Sequence, residues 1–347
     1  MRDKTYRHLT TASCIGNMAK DYEDVEFKTI DGLVLRGWLF PAAKRGPAVV
    51  MTPGFNCIKE DFYPGFPQQF QKAGITVLLY DPRNTGTSSG FPRNDIDPTR
   101  QVEDYSDAHT YLATLSIVDP LRIAIWGVSF TGGTVLASAA LDKRPCAVIA
   151  VAPIFYSDYI TDGDRVRKKI IRDREAQILH GSPPFFISIL ESRGMVPVNS
   201  HIPVQSTTQS TNTTEITHNR EGSTIQSYLR MALWQPVPLG LLPMVNPTPV
   251  MFLTPEHDYV SLTQVQLDIF ETLKGPKRQH LALGREHVNV LMGEDMPALA
   301  KIQTDFLWQA AEGRLAGQAN RTSKDQTNGE LDGFLSAHQK SRAETSS

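Results

Sequence analysis

The chain has 347 residues, 40% of them hydrophobic, and a formal net charge of −2. That length holds one large or two ordinary domains with ample apolar material for a core, and the near-neutral balance argues against nucleic acid or an anionic membrane as an obligate partner. The opening MRDKTYRHLTTASCIGNMAKDYED lacks the apolar run of a secretory leader, and no stretch is long and apolar enough to span a bilayer, so the reading is cytoplasmic. Three scattered cysteines, Cys14, Cys57 and Cys146, suit a reducing compartment rather than a disulfide framework. The sequons at Asn212 and Asn320 are accordingly expected to stay unmodified.

Residues 1–24 read as an N-terminal extension. Residues 25–29 and 33–40 alternate apolar with polar or glycine around Asp31-Gly32, which predicts an antiparallel hairpin with a two-residue turn. Residues 48–52 and 75–80 are continuous apolar runs, the mark of parallel strands covered on both faces. Between them PGFNCIKEDFYPGFPQQFQKAG reads as a glycine-bearing loop leading into a helix, and DPRNTGTSSG at 81–90 as a loop. From Thr99, the spacing Val102, Tyr105, His109, Leu112 marks an amphipathic helix that closes before Asp119-Pro120.

Residues 123–126 are a buried strand, and 127–133 force a sharp reversal into a small-residue helix, with Ser129 at the point of the turn. Small residues on both sides of a serine imply that backbone passes close to backbone. A nucleophile elbow needs this, because the strained turn holds the hydroxyl clear of the sheet and the helix N-terminus favours a developing oxyanion. The G-x-S-x-G pattern has threonine at 131 here, with glycines at 132 and 133. The bland alternative is a glycine-rich strand-to-helix turn of any doubly wound sheet.

After a strand at 146–151 the strand-helix rhythm breaks. Residues 154–245 hold a charged helix, an apolar patch, a polar Ser/Thr tract at 204–217 and a second apolar stretch, which together read as an inserted helical cap with one flexible excursion. Rhythm resumes with a strand at 249–254 and a helix whose capping box is Ser261 with Gln264 and whose buried stripe is Leu262, Val265, Ile269 and Leu273. A last strand at 280–283 and a helix at 296–312 follow; 314–347 read as a disordered tail. The alternating order predicts an α/β fold, a mostly parallel twisted sheet with helices on both faces, its core made of 25–153 and 246–313.

A serine hydroxyl becomes a nucleophile when an imidazole removes its proton and a carboxylate orients that imidazole. Asp258 and Glu256 follow the strand at 249–254. Asp258 is preferred because it lies deeper in the loop. His287 is the base, since His257 precedes the last strand and His338 lies in the tail. The expected oxyanion donors are the backbone N–H groups of Phe130 and Phe55, since Pro53 cannot donate and Gly54 permits close approach. Cys57 reads as a structural thiol, and no phosphate loop, dinucleotide fingerprint or metal-ligand spacing occurs, so no cofactor is implied.

With these motifs in hand, the chain resembles the α/β-hydrolase superfamily over residues 25–313. DPRNTGTSSG is similar to the D-x-R-G-x-G-x-S-x-G loop of its X-Pro dipeptidyl-peptidase, cocaine-esterase and dienelactone-hydrolase-like branch, with Asn84 where glycine is usual. The W-G-x-S-F-x-G-G elbow and T-P-E-x-D acid loop look like those of the fungal polyketide transferase and thiohydrolase group. That resemblance implies Ser129 as nucleophile, Asp258 as orienter and His287 as base, acting on a polyketide acyl chain held as a thioester on a synthase's carrier domain. Phe185, Phe186, Leu190, Tyr228, Met231, Leu233 and Trp234 are then expected to wall an apolar acyl pocket. Small-molecule carboxylesterase, X-Pro-type serine peptidase and non-catalytic binding protein are the other readings.

Overall fold

The computed structural model describes residues 21–62, 65–155, 163–187, 222–234 and 236–315. Strands β1 (Glu23–Lys28) and β2 (Val34–Phe40) pair antiparallel. Their turn holds three residues instead of the expected two, because Thr29 and Leu33 close the ladder and Gly32 takes the left-handed conformation, φ +86°. Then come β3 (Gly46–Thr52), α1 (Phe66–Lys72), β4 (Thr76–Tyr80), α2 (Pro98–Ala113), β5 (Val118–Val128), α3 (Phe130–Leu141) and β6 (Val148–Val151). From β6 the chain leaves the sheet through α4 (Gly163–His180), a two-residue ribbon of β7 (Phe186–Ile187) and β8 (Ser223–Thr224), α5 (Ile225–Trp234) and α6 (Pro236–Leu241). It returns with β9 (Val250–Pro255), α7 (Thr263–Thr272), β10 (Lys277–Ala282) and α8 (Met296–Ala311).

The eight-stranded sheet runs β1-β2-β4-β3-β5-β6-β9-β10, antiparallel at β1, β2 and β4 and parallel from β4 to β10. Alternate residues of its central strands enter two separate cores. Ala48, Val50, Ile123 and Ile125 pack with Tyr105, Leu112, Val135, Leu136 and Phe270 from α2, α3 and α7. Val49, Met51, Ala124 and Trp126 pack with Phe66, Phe70, Leu299 and Phe306 from α1 and α8. Burial on both faces is what makes these strands continuous apolar runs in sequence.

Helix α2 starts one residue earlier than expected, at Pro98, because the Asp97 carboxylate accepts from the N–H groups of Thr99 and Arg100. The expected capping box of α7 does not form. Ser261 donates to the Pro153 carbonyl at 2.7 Å and Gln264 pairs with Asp268. Of the expected stripe, Val265, Ile269 and Leu273 face the core and Leu262 is exposed, while Thr263, Gln266, Leu267 and Phe270 are buried as well. Strand β10 begins three residues before the apolar run that marked it, since parallel pairing of Lys277 with Val250 sets its start. Cys14, Asn212, Asn320, Leu190, His338 and the polar tract lie outside the described residues, as does nearly all of the expected tail.

The loop after β4 is a folded polar unit. Asp81 accepts from Lys59 N–H and Nζ and from Thr87 N–H at 2.7–2.8 Å, and Arg83 reaches both Asp104 oxygens and Asp31. Asn84 adopts φ +66°, a conformation that asparagine tolerates better than most residues, which explains how it stands in for glycine. Among the described residues, no helix is long and apolar enough to cross a membrane.

His109 sits on the buried stripe of α2, 2% exposed, and burial, reinforced by the Arg144 charge, depresses its imidazole from 6.5 to about 4. The unfolded chain therefore binds this proton at a higher pH than the folded one, so stability is lost as pH falls from 6.5 towards 4, by on the order of 3 kcal/mol. Substituting His109→Leu is expected to flatten this acid slope in urea melts taken between those pH values.

Candidate active site

Strand β5 delivers Ser129 at φ +59°, ψ −122°, outside the regions that L-residues favour, at the N-cap of α3. Ser129 N–H donates to Val151 O at 2.8 Å, and its carbonyl accepts from Gly132 and Ile154 N–H at 3.0 Å. The turn is this tight because a side chain cannot fit at its flanks. A Cβ on Gly127 would lie 2.2 Å from Thr131 O, and one on Gly132 would lie 2.8 Å from Pro153 Cα. Thr131, in the place of the consensus glycine, is buried and uses its hydroxyl. It accepts from Val128 N–H at 3.0 Å and faces the carbonyls of Val128 and Thr52 at 2.9 and 3.2 Å.

His287 arrives on the loop after β10. Its Nε2 is 2.8 Å from Ser129 Oγ and its Nδ1 is 2.8 Å from Asp258 Oδ2. A carboxylate can only accept, so the ring proton sits on Nδ1 and the Nε2 lone pair faces the serine hydroxyl, which donates to it. Asp258 lies after β9 with its side chain fully buried and is met by neutral donors. Oδ1 accepts from Val260 and Ser261 N–H at 2.9 and 2.8 Å, and Oδ2 accepts from Gln266 Nε2 at 2.9 Å. Glu256 instead accepts from Gly284 N–H at 2.6 Å and ties the two loops together, and the side chain of His257 is 60% exposed. Ser129, Asp258 and His287 thus converge from three strand ends, although they lie up to 158 positions apart in the chain. Gln266 escaped sequence reading, since a glutamine in a helix reads as surface. Its place beside the apolar positions 265, 267, 269 and 270 was the available signal.

Phe130, the first residue of α3, presents one of the N–H groups that have no acceptor within the helix. Gly54 lies against Ser129, so that a Cβ there would sit 3.2 Å from Ser129 Cβ and 3.7 Å from Oγ. This brings the loop carrying Phe55 to the same turn. The Phe55 ring meets Phe130 edge-on at 5.7 Å and Tyr228 at 6.0 Å. Around them, Tyr228, Met231, Trp234, Ile225, Val166, Ile170 and Ile187 form a third apolar cluster between α3 and the excursion, with Phe185 packed at its edge. Phe186 is half-buried in β7, and Leu233 is 69% exposed, pointing away from the cluster it was expected to join. The Cys57 thiol donates to Phe55 O at 3.5 Å, and burial pushes the Cys146 thiol up to about 12, out of the reactive range. Among the described residues, no group of three or more His, Cys, Asp or Glu side chains is placed to hold a metal ion.

A parallel-rich sheet with a strained strand-to-helix serine and later acid and base loops defines an α/β-hydrolase fold. The family of X-Pro dipeptidyl-peptidase (S15 family) matches residues 16–183. A thiohydrolase of Eupenicillium brefeldianum is 42% identical over 290 residues, covering 82% of this chain and 93% of that protein. A polyketide transferase of Stachybotrys chlorohalonatus is also 42% identical, over 82% of this chain and 96% of the relative. The crystal structure of the α/β hydrolase GrgF from Penicillium superposes with a TM-score of 0.70 at 35% identity, covering 84% of this chain and 99% of that one. The chain belongs to the fungal polyketide transferase and thiohydrolase group of the α/β-hydrolase superfamily.

The elbow threonine yields a direct test. Thr131→Val keeps the shape but removes the acceptor of Val128 N–H, leaving a buried donor unmet. The variant is expected to lose about 1–3 kcal/mol of stability by chemical denaturation, whereas an unchanged midpoint would mean that the hydroxyl contributes nothing.

Proposed function

We propose that the protein is a serine acyl hydrolase or acyltransferase that releases or transfers a polyketide-type acyl chain from a thioester on a carrier domain. The single observation that carries this reading is the His287 imidazole lying 2.8 Å from both Ser129 Oγ and Asp258 Oδ2. The names of the relatives, thiohydrolase, acyltransferase and polyketide transferase, support the acyl substrate class.

In this mechanism His287 Nε2 takes the Ser129 proton as Oγ bonds to the thioester carbonyl carbon, and Asp258 steadies the resulting imidazolium through Nδ1–H. The carbonyl oxygen becomes an oxyanion received by the N–H groups of Phe130 and Phe55, at the positive end of α3. The tetrahedral intermediate collapses with cleavage of the carbon–sulfur bond. The leaving sulfur takes the proton from His287, and the acyl group stays on Ser129 as an ester. Water or an acceptor alcohol then gives its proton to His287, attacks the ester carbonyl and frees Ser129, which recovers that proton. Residues 154–245 act as the cap, and Phe185, Phe186, Tyr228 and Trp234, with Phe55 and Phe130, are the apolar surface offered to the acyl chain.

Two variants test the scheme. Intact mass after incubation with acyl thioesters should show one added acyl group on the parent protein and none on Ser129→Ala, whose kcat should fall at least about 10³-fold; full turnover by that variant would sink the reading. Gln266→Leu removes one of the donors that hold Asp258 in place, so the carboxylate orients the His287 ring less firmly. We expect kcat to drop about tenfold at near-constant KM. A role for Gln266 in packing alone would lower the melting temperature and leave kcat of the folded enzyme unchanged.

A further inference from the structure

The two amides assigned to the oxyanion follow different strands, and the distance between them has to be fixed. Parallel pairing sets Thr52, the last residue of β3, level with Gly127 of β5. Phe55 and Phe130 each lie three positions beyond that rung, one after either strand. Past it the backbone ladder stops, because the next residue of the first strand is Pro53, which has no N–H. An oxyanion donor works only within about 2.7–3.1 Å of the charge that develops, and misplacement by about 1 Å can cost on the order of a hundredfold in rate.

Side chains take over where the ladder ends. Tyr105 reaches in from α2, 1% exposed, and its hydroxyl donates to Trp126 O at 3.0 Å. A phenol has a single proton and a carbonyl can only accept, so that proton is committed. The Thr52 hydroxyl, which touches the Tyr105 oxygen, is therefore the donor in the second contact. The bonds run from Thr52 at the end of β3, through Tyr105, to Trp126 near the end of β5. One residue beyond Phe130, the buried Thr131 hydroxyl faces Thr52 O at 3.2 Å and Val128 O at 2.9 Å, so Thr52 is held by its carbonyl as well. A Cβ on Gly127 would lie 2.9 Å from the Tyr105 hydroxyl, and the glycine before the elbow thus makes room for the phenol. Burial holds that phenol well above its ordinary pKa, so Tyr105 stays a donor throughout the range in which an imidazole titrates.

We propose that Tyr105 is a positioning residue: through Thr52 and Trp126 its hydroxyl locks the ends of β3 and β5 together, and so sets the spacing of the Phe55 and Phe130 amides around the oxyanion. This rests on the acyl-transfer reading and adds what aligns the oxyanion site. Acylation and deacylation both pass through an oxyanion, so both steps depend on the lock.

Tyr105→Phe removes the hydroxyl and keeps the ring. On an acyl thioester, kcat of the folded variant should fall about tenfold or more with KM nearly unchanged, and both limbs of the pH–rate profile should stay in place. Two inhibitors with the same acyl chain separate alignment from packing. With the trifluoromethyl ketone, Ser129 Oγ bonds to the carbonyl carbon, the serine proton passes to His287 and the carbonyl oxygen becomes an oxyanion. The thioether analogue has a methylene in place of the carbonyl and forms no oxyanion. The ketone should bind more weakly by the same factor as kcat/KM falls, and the thioether should bind as it does to the parent. Thr52→Val should reproduce the loss and Thr52→Ser should keep the parent rate. Thr52→Val/Tyr105→Phe should be no worse than either single variant, because each breaks the same chain of bonds. The Thr52 variants carry the test if Tyr105→Phe does not fold.

An unchanged kcat in the folded variants overturns the proposal, as does equal weakening of ketone and thioether, or a displaced limb of the pH profile, which would locate the effect at His287. Fluorine NMR of the ketone separates this from the reading beneath it. If the parent protein gives no tetrahedral adduct signal beyond that of Ser129→Ala, the acyl-transfer reading fails and the proposal with it. An adduct that the parent, Tyr105→Phe and Thr52→Val all hold equally tightly overturns the proposal alone.

Discussion

The reversal at Ser129 is the constraint on which the rest of the molecule depends. A non-glycine residue held at φ +59° costs on the order of 1–3 kcal/mol, and the cost is offset only where the surroundings over-determine the turn. Here they do. The Ser129 amide and carbonyl are both bonded to the segment around β6, Thr131 ties the turn back to Val128 and Thr52, and α3 lies so close to the following segment that Gly132 touches Pro153. Because Pro153 also takes the Ser261 hydroxyl, the turn at Ser129 and the loop that carries Asp258 share an anchor. The same packing that bends the chain at the serine therefore aligns the carboxylate with the imidazole.

Attachment of the excursion to the core combines polar and apolar contacts, and both begin at loops next to the site. Asn94 N–H bonds to Asn84 O, Thr224 N–H to Asn94 O, and Ile96 N–H to the Ser227 hydroxyl, while Asp95 pairs with Arg230 and Thr224. The left-handed Asn84 of the DPRNTGTSSG loop is thus one end of a chain of hydrogen bonds that reaches α5. On the apolar side, Tyr228 of the same helix closes on Phe55, whose loop lies against Ser129. Further along, Leu242 and Val245 already belong to the core under the sheet, so the excursion is pinned at its far end as well.

Both departures from the superfamily's patterns have local physical reasons. Asparagine occupies a left-handed position in the first motif, with Nδ2 donating to Asp95 O at 2.6 Å, which glycine could not do. Threonine occupies a helical position in the second, and its hydroxyl is spent on the turn. In each case a side-chain hydrogen bond replaces the freedom or small size of glycine.

The linear chain by itself determined the alternation of strands and helices, because apolar runs of both-face burial and the 3.6-residue stripe of α2 are local patterns. It also singled out Ser129, Asp258 and His287, since each follows its own strand in the order Ser, Asp, His. What only the tertiary structure decided involves partners distant in sequence. The choice of Asp258 over Glu256 at the imidazole depends on which carboxylate the Gly284 amide captures. The buried face of α7 keeps Val265, Ile269 and Leu273 of the expected stripe, loses Leu262 to solvent and gains Gln266, which reaches Asp258. The start of β10 follows from parallel register with β9 rather than from its own polar residues. Hydrophobic periodicity reports how each segment meets water, whereas hydrogen-bond partners and strand register are set across the sheet, where a single segment holds no record of its neighbour.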